Sequence, residues 1–146
     1  MEFRPDRRLV LFASLVLFSC GFSLRKPLTV LIPEGYSGWV RVEFNVPSAP
    51  AYREEDGRRV LRIPATGFVQ TSSSFEPGLQ GDVYEYVNAA GMPEPFPAGV
   101  SVHLPRMFTV NPPAEKQRIF GAFFVGTDAD FAKATKDPSS LPLPRD

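Results

Sequence analysis

Trp39-Val40-Arg41-Val42-Glu43-Phe44-Asn45-Val46 alternates without a break: Val40, Val42, Phe44 and Val46 fall on one side, Trp39, Arg41, Glu43 and Asn45 on the other. A period of two over this length is a strand with one face turned to a core. The opposite face carries enough charge and amide to predict contact with water. Upstream, Leu28–Ile32 (LTVLI) reads as a buried strand, and Pro33-Glu34-Gly35-Tyr36-Ser37-Gly38 as the turn that joins the two, because Pro and Gly break both helix and strand.

Downstream the pattern repeats in short pieces. Pro47–Gly57 is a loop ending in the turn dipeptide Asp56-Gly57. Arg58–Ile63 is a strand with Leu61 and Ile63 inward, and Phe68–Ser72 a shorter one. In Asp82–Asn88, Tyr84 and Tyr86 share a face opposite Val83, Glu85 and Val87. Pro93, Pro95 and Pro97 stand at every second position and exclude a helix from Ala89–Gly99. Val100–Leu104 alternates again, and Met107–Val110 is a possible further strand.

Gln117–Val125 (QRIFGAFFV) differs from the others, being apolar on both faces. Such a strand sits inside a sheet and is covered on each side. The cover for its second face is expected from the segment that follows. There Thr127 and Asp130 have the spacing of a capping box, and a short helix over Asp128–Thr135 would anchor through Phe131. Pro138 onward is polar and proline-rich, the composition of a disordered tail. Short strands with turns every 8–12 residues predict a mainly β fold, an antiparallel β-sandwich of about seven strands with one short C-terminal helix. The predicted divisions are residues 1–19 as signal, 20–27 as tether, 28–136 as the sandwich and 137–146 as tail.

The N-terminus carries an address. Arg4, Arg7 and Arg8 precede Leu9–Phe18, an apolar run about half as long as a bilayer span requires. It ends in Leu17-Phe18-Ser19-Cys20, which resembles the lipobox of bacterial lipoproteins. That resemblance implies diacylglycerol on Cys20, cleavage before it, and a domain held by acyl chains on the extracytoplasmic side of a cell membrane or outer membrane. Phe18 departs from the small or β-branched residue usual before the final Ser. A short buried helix with a core cysteine and an uncleaved signal anchor are the alternatives.

Composition narrows the partners. The chain of 146 residues has zero formal net charge, and loss of residues 1–19 would leave 13 basic and 14 acidic side chains. That balance is wrong for a nucleic-acid binder, which must replace counterions on phosphates. One cysteine and one histidine supply neither an internal disulfide nor a four-ligand zinc shell. No cofactor is expected.

Catalytic candidates are sparse. His103 lies on the polar side of its strand with no sequence-adjacent nucleophile or orienting partner, which reads as a solvent-facing residue. Glu54-Glu55-Asp56 is flanked by Arg53, Arg58 and Arg59 and lacks the alternate spacing of a calcium loop. Ser72-Ser73-Ser74 has no nucleophile-elbow context. Scattered carboxylates such as Glu34, Glu43 and Glu85 would be needed for a hydrolase. The best binding candidates are aromatic: Trp39 with Tyr36, and the pair Tyr84 and Tyr86. Each can stack on a glycan or dock an envelope protein, or simply close the sandwich. A phenylalanine-rich interior could alternatively carry a small hydrophobic ligand, which requires a cavity of several hundred Å3.

The blocks Ile32-Pro33-Glu34-Gly35-Tyr36-Ser37-Gly38-Trp39-Val40, Ile63-Pro64-Ala65-Thr66-Gly67 with Thr71-Ser72, and Phe124-Val125-Gly126-Thr127-Asp128 resemble those of an uncharacterised family of short bacterial secreted and lipid-anchored proteins. The resemblance spans roughly residues 28–135 and implies a domain of unknown function. By fold analogy the opening also resembles transthyretin-like sandwiches.

Overall fold

The computed structural model describes residues 25–77, 81–113 and 115–142. The signal, Cys20 and the start of the tether lie outside the described residues. Strands β1 (Leu28–Pro33), β3 (Arg53–Glu55), β4 (Arg58–Arg62), β6 (Val83–Val87) and β7 (Pro93–Glu94) form one sheet, in the order β3-β4-β1-β6-β7. Strands β2 (Gly38–Phe44), β5 (Phe68–Gln70), β8 (Ser101–Val110) and β9 (Arg118–Gly126) form the other, in the order β5-β2-β9-β8. A single short helix, α1 (Asp128–Lys133), and a 3-10 turn at Pro138–Ser140 follow.

The mainly β, sandwich-like architecture is the expected one, but its sheets are mixed. Strand β1 runs parallel to both β4 and β6, and β2 runs parallel to β5. The chain passes from one sheet to the other between β1 and β2, so the strands that return beside them arrive in the same direction. Hairpin neighbours such as β3–β4 and β8–β9 remain antiparallel. Two additional short strands, β3 and β7, raise the number above seven. The predicted loop ends in a short strand, Arg53–Glu55, because Asp56-Gly57, with φ of 50° and 75°, makes a tight hairpin. The two predicted segments around Pro105 are one strand with an irregularity between His103 and Arg106, where Leu104 takes φ 46°.

Val30 and Ile32 of β1, Val40, Val42 and Phe44 of β2, Leu61 and Ile63, Tyr86, and Phe123 and Val125 of β9 fill the space between the sheets. The second face of β2 does not meet water: Trp39, Arg41 and Glu43 are 9%, 8% and 4% exposed. The C-terminal segment covers it, as the two-sided apolar character of β9 requires. Phe131 and Leu141 pack on Trp39, Ala122 and Phe124. Trp39 Nε1 donates to Thr135 O at 2.7 Å. The Arg41 guanidinium donates to Leu141 O at 3.1 Å and Pro142 O at 2.8 Å. Residues 137–142, which their composition leaves as disordered tail, are thus laid on the sheet with Pro138 buried. The acceptors that a buried guanidinium needs are backbone carbonyls, which no composition reveals.

The predicted capping box is present. Thr127 accepts from Asp130 N at 3.1 Å and Asp130 accepts from Thr127 N at 3.1 Å. His103 is not solvent-facing. Its ring stacks on Phe131 at 4.8 Å and 8°, and one ring nitrogen lies 2.9 Å from Gly126 O.

The turn from β1 to β2 is locked by Tyr36, whose hydroxyl donates to Trp39 O at 2.7 Å. Tyr86 donates to Tyr36 O at 2.7 Å. Gly67 presses against this ring: a Cβ there would lie 1.9 Å from the Tyr36 hydroxyl, and its φ is +70°. A Cβ at Gly126 would meet Ser37 Oγ at 2.8 Å. The three sequence blocks that carry the family resemblance therefore converge on one corner, each glycine leaving room for the turn.

Glu43 is held by Arg118 through two hydrogen bonds of 2.6 and 2.7 Å and by Gln70 at 3.1 Å. Burial alone would raise its carboxyl pKa, but the hydrogen bonds from Arg118 and Gln70 and the charge of Arg118 outweigh burial and lower it.

Three outcomes are expected. Trp39→Ala lowers unfolding stability by about 3 kcal/mol and exposes the amides of residues 128–142 to hydrogen exchange before those of β1. Gly67→Ala costs more than about 2 kcal/mol, and Tyr36→Phe, by removing the clashing hydroxyl, makes the pair less than additive in urea denaturation. Arg118→Met leaves the buried Glu43 carboxylate with Gln70 alone and no countercharge, and costs about 3 kcal/mol, whereas Glu43→Gln leaves Arg118, with 29% of its side chain still exposed, and costs about 1 kcal/mol. A carboxyl whose pKa falls on folding stabilises above its unfolded pKa, and that share is lost as pH drops through the folded value. The urea midpoint should therefore decline as pH falls below the ordinary glutamate range, with a smaller decline in Glu43→Gln.

Candidate functional site

The four aromatic residues singled out from the sequence do not share a surface. Trp39 lies on the outer face of the β2–β9 sheet, edge-on to Phe124 at 5.7 Å and to Phe131 at 6.3 Å, with the Arg106 guanidinium 5.5 Å from its ring. Tyr84 is inside the sandwich, edge-on to Phe123 at 5.2 Å. Tyr36 and Tyr86 meet at the corner just described, where Tyr86 also packs on Phe96 at 4.6 Å. Burial pushes the phenols of Tyr36, Tyr84 and Tyr86 above their ordinary pKa, so all three remain neutral donors at physiological pH.

The carboxylates are equally dispersed. Glu43 is bound to Arg118 on the covered face of one sheet. Glu85 alternates with the inward Tyr84 and Tyr86, and so belongs to the outer face of the other. Glu34 sits in the β1–β2 turn. The two outer faces point away from each other, so Glu43 and Glu85 do not form an acid–base pair across a cleft. Glu54 pairs with Lys26 at 2.5 Å in an exposed hairpin. Among the described residues no three His, Cys, Asp or Glu side chains cluster as a metal site.

Concavities lie at opposite ends of the sandwich. The first is a groove of about 430 Å3 between the β1–β2 turn and the proline-spaced loop, lined by Glu34, Tyr36, Tyr86, Glu94, Pro95, Pro97 and Asp130. It joins Tyr36 to the Pro93–Pro97 loop, as a binding surface there would require, but leaves Trp39 out. Two of its three acids already have work: Glu94 accepts from Asn88 at 2.5 Å and Asp130 caps α1.

The second is a cavity of about 360 Å3 that enters the core from the end where β1 begins. Its walls include Val30, Val42, Phe44, Leu61, Tyr84 and Phe123. Gly121 lines it: on β9 it stands between Val42 and Met107, and a Cβ there would crowd the Phe44 ring at 3.1 Å, so the ring takes the space a side chain would fill. The charges at its mouth are closed on one another, Arg25 with Asp82 at 2.5 Å and Arg59 with Glu76 at 2.9 Å. Tyr52 lies beside them, and burial, offset in part by Arg59 and Arg25, pushes its phenol up to about 12. The phenylalanine-rich composition pointed to an apolar interior. It did not show that this interior would stay open at one end.

No helix among the described residues is long and apolar enough to cross a membrane. Comparison with curated proteins gives no match. A crystal structure from Bacillus anthracis, of a protein described as a candidate lipoprotein, superposes with a TM-score of 0.62 at 23% identity, covering 82% of this chain and 85% of that one. At that identity the likeness is one of fold. The model of the family of unknown function DUF6843 matches residues 25–127, which include the corner formed by Tyr36, Gly67 and Gly126, and the chain belongs to that family.

Proposed function

We propose that this chain is a lipid-anchored, non-enzymatic binding domain of the bacterial cell envelope, tethered through acyl chains on Cys20 and exposed on the extracytoplasmic side. The observation that carries the reading is Cys20 itself, preceded by three arginines and an apolar run too short to span a bilayer. The family match begins at residue 25, just beyond that cysteine. The B. anthracis structure with the same fold carries a lipoprotein description, which supports the anchor. The dispersal of the carboxylates and the stacking of His103 on Phe131 favour binding over catalysis.

A second reading, a carrier of a small hydrophobic ligand, is favoured by the cavity, whose volume falls within the range of roughly 300–1,000 Å3 typical of small-molecule sites.

The anchor is tested by the mass of the mature N-terminal peptide. The expected peptide begins at Cys20 and carries a diacylglyceryl group. Cys20→Ala should leave residues 1–19 attached and abolish lipid labelling. A wild-type protein with an intact N-terminus and a bare thiol would overturn the reading.

A further inference from the structure

The cavity at the β1 end of the sandwich combines three features. Its depth is apolar, with Val30, Val42, Phe44, Leu61 and Phe123 as walls. Four of its charged residues neutralise one another in the Arg25–Asp82 and Arg59–Glu76 pairs at the mouth, and the guanidinium of the fifth, Arg106, lies over the Trp39 ring. Its mouth is bounded by Arg25, the first described residue, five positions after Cys20. Five extended residues reach at most about 17 Å, so a chain anchored at Cys20 holds this opening against the bilayer surface rather than away from it.

A polar ligand would need donors or acceptors inside, since a buried polar group without partners is costly. The walls offer only the hydroxyls of Tyr52, Ser74 and Tyr84 beside the charged residues. The ligand that fits is featureless and apolar along its length, with any polar head left among the charges outside. Met107, 50% exposed at the mouth, extends the apolar lining toward the surface. The groove at the opposite end lacks these features, having proline and carboxylate walls.

We propose that this cavity holds a single acyl chain drawn from the membrane side, an inference that rests on the lipid-anchored reading above and names the ligand class for the carrier function. The chain comes either from a free fatty acid or lipid, or from the protein's own modified Cys20. The two sources share the same chemistry at the cavity and differ only in attachment.

The test uses the full lipoprotein in bacterial membranes and a palmitic acid bearing a diazirine on its tail. In one arm the probe is added to isolated membranes. In the other it is fed to growing cells, so that it also enters the lipid on Cys20. After irradiation, adducts are mapped by peptide mass spectrometry. The expected adducts lie on Phe44, Leu61, Tyr84 or Met107 and are suppressed by excess unlabelled palmitate. Leu61→Trp, which fills the cavity, should reduce them about tenfold. Met107→Glu, at a half-exposed position where folding is little affected, should reduce them as well.

Adducts formed only in the fed arm, joining the cavity to the Cys20 peptide, assign the chain to the protein's own anchor. Adducts in the isolated-membrane arm assign it to a free amphiphile. Absence of adducts in both arms overturns the proposal, as do adducts scattered over the outer faces and indifferent to palmitate and both variants. The mass of the Cys20 peptide in the same samples reports lipidation separately, so failure of the anchor and failure of the cavity are distinguishable.

Discussion

Burial of Trp39 beneath the C-terminal segment is the contact on which the rest of the molecule turns. Strands β2 and β9 are the inner strands of their sheet, and both of their faces are withdrawn from water. One face meets the opposite sheet. The other has no sheet to meet, so Phe131, Pro138 and Leu141 supply its cover. Two polar side chains fix that cover in position. Trp39 donates to Thr135 O and Arg41 to Leu141 O and Pro142 O. Each bond satisfies a buried donor that would otherwise be costly, so the same side chains that need the cover also orient it.

The corner at Tyr36 is the counterpart at the end of the sandwich. Its hydroxyl bridges the turn, Gly67 yields the space for the ring, and Gly126 yields the space for Ser37. Positions that stand out in the sequence as motif residues are here answers to a packing problem. The most recognisable residues of the family serve the fold, and the open volume lies elsewhere.

That open volume is walled by aromatic rings. A central strand ordinarily fills the space above it with a side chain at every second position. At Gly121 the Phe44 ring takes that place, and Phe44, Tyr84 and Phe123 line the cavity. The Arg25–Asp82 and Arg59–Glu76 pairs close the charges of the rim without closing the opening. An apolar interior and a mouth bounded by Arg25, five residues after Cys20, are what the acyl-chain proposal rests on.

Much of the fold is legible along the chain because alternation is local. The pattern of Trp39–Val46 gives β2 its inward face, the two-sided apolar run gives β9 its interior place, and Thr127 with Asp130 gives α1 its start. What the sequence by itself determined is which residues become strands and which faces need cover. Only the tertiary structure decided that β1 lies parallel to β4 and β6, that Arg41 finds its acceptors 100 and 101 residues away, that Tyr84 and Tyr86 turn inward, and that the core stays open at one end. The reason is physical: periodicity records how each residue faces its immediate neighbours, whereas strand direction, distant hydrogen-bond partners and cavities arise from which segments meet in space.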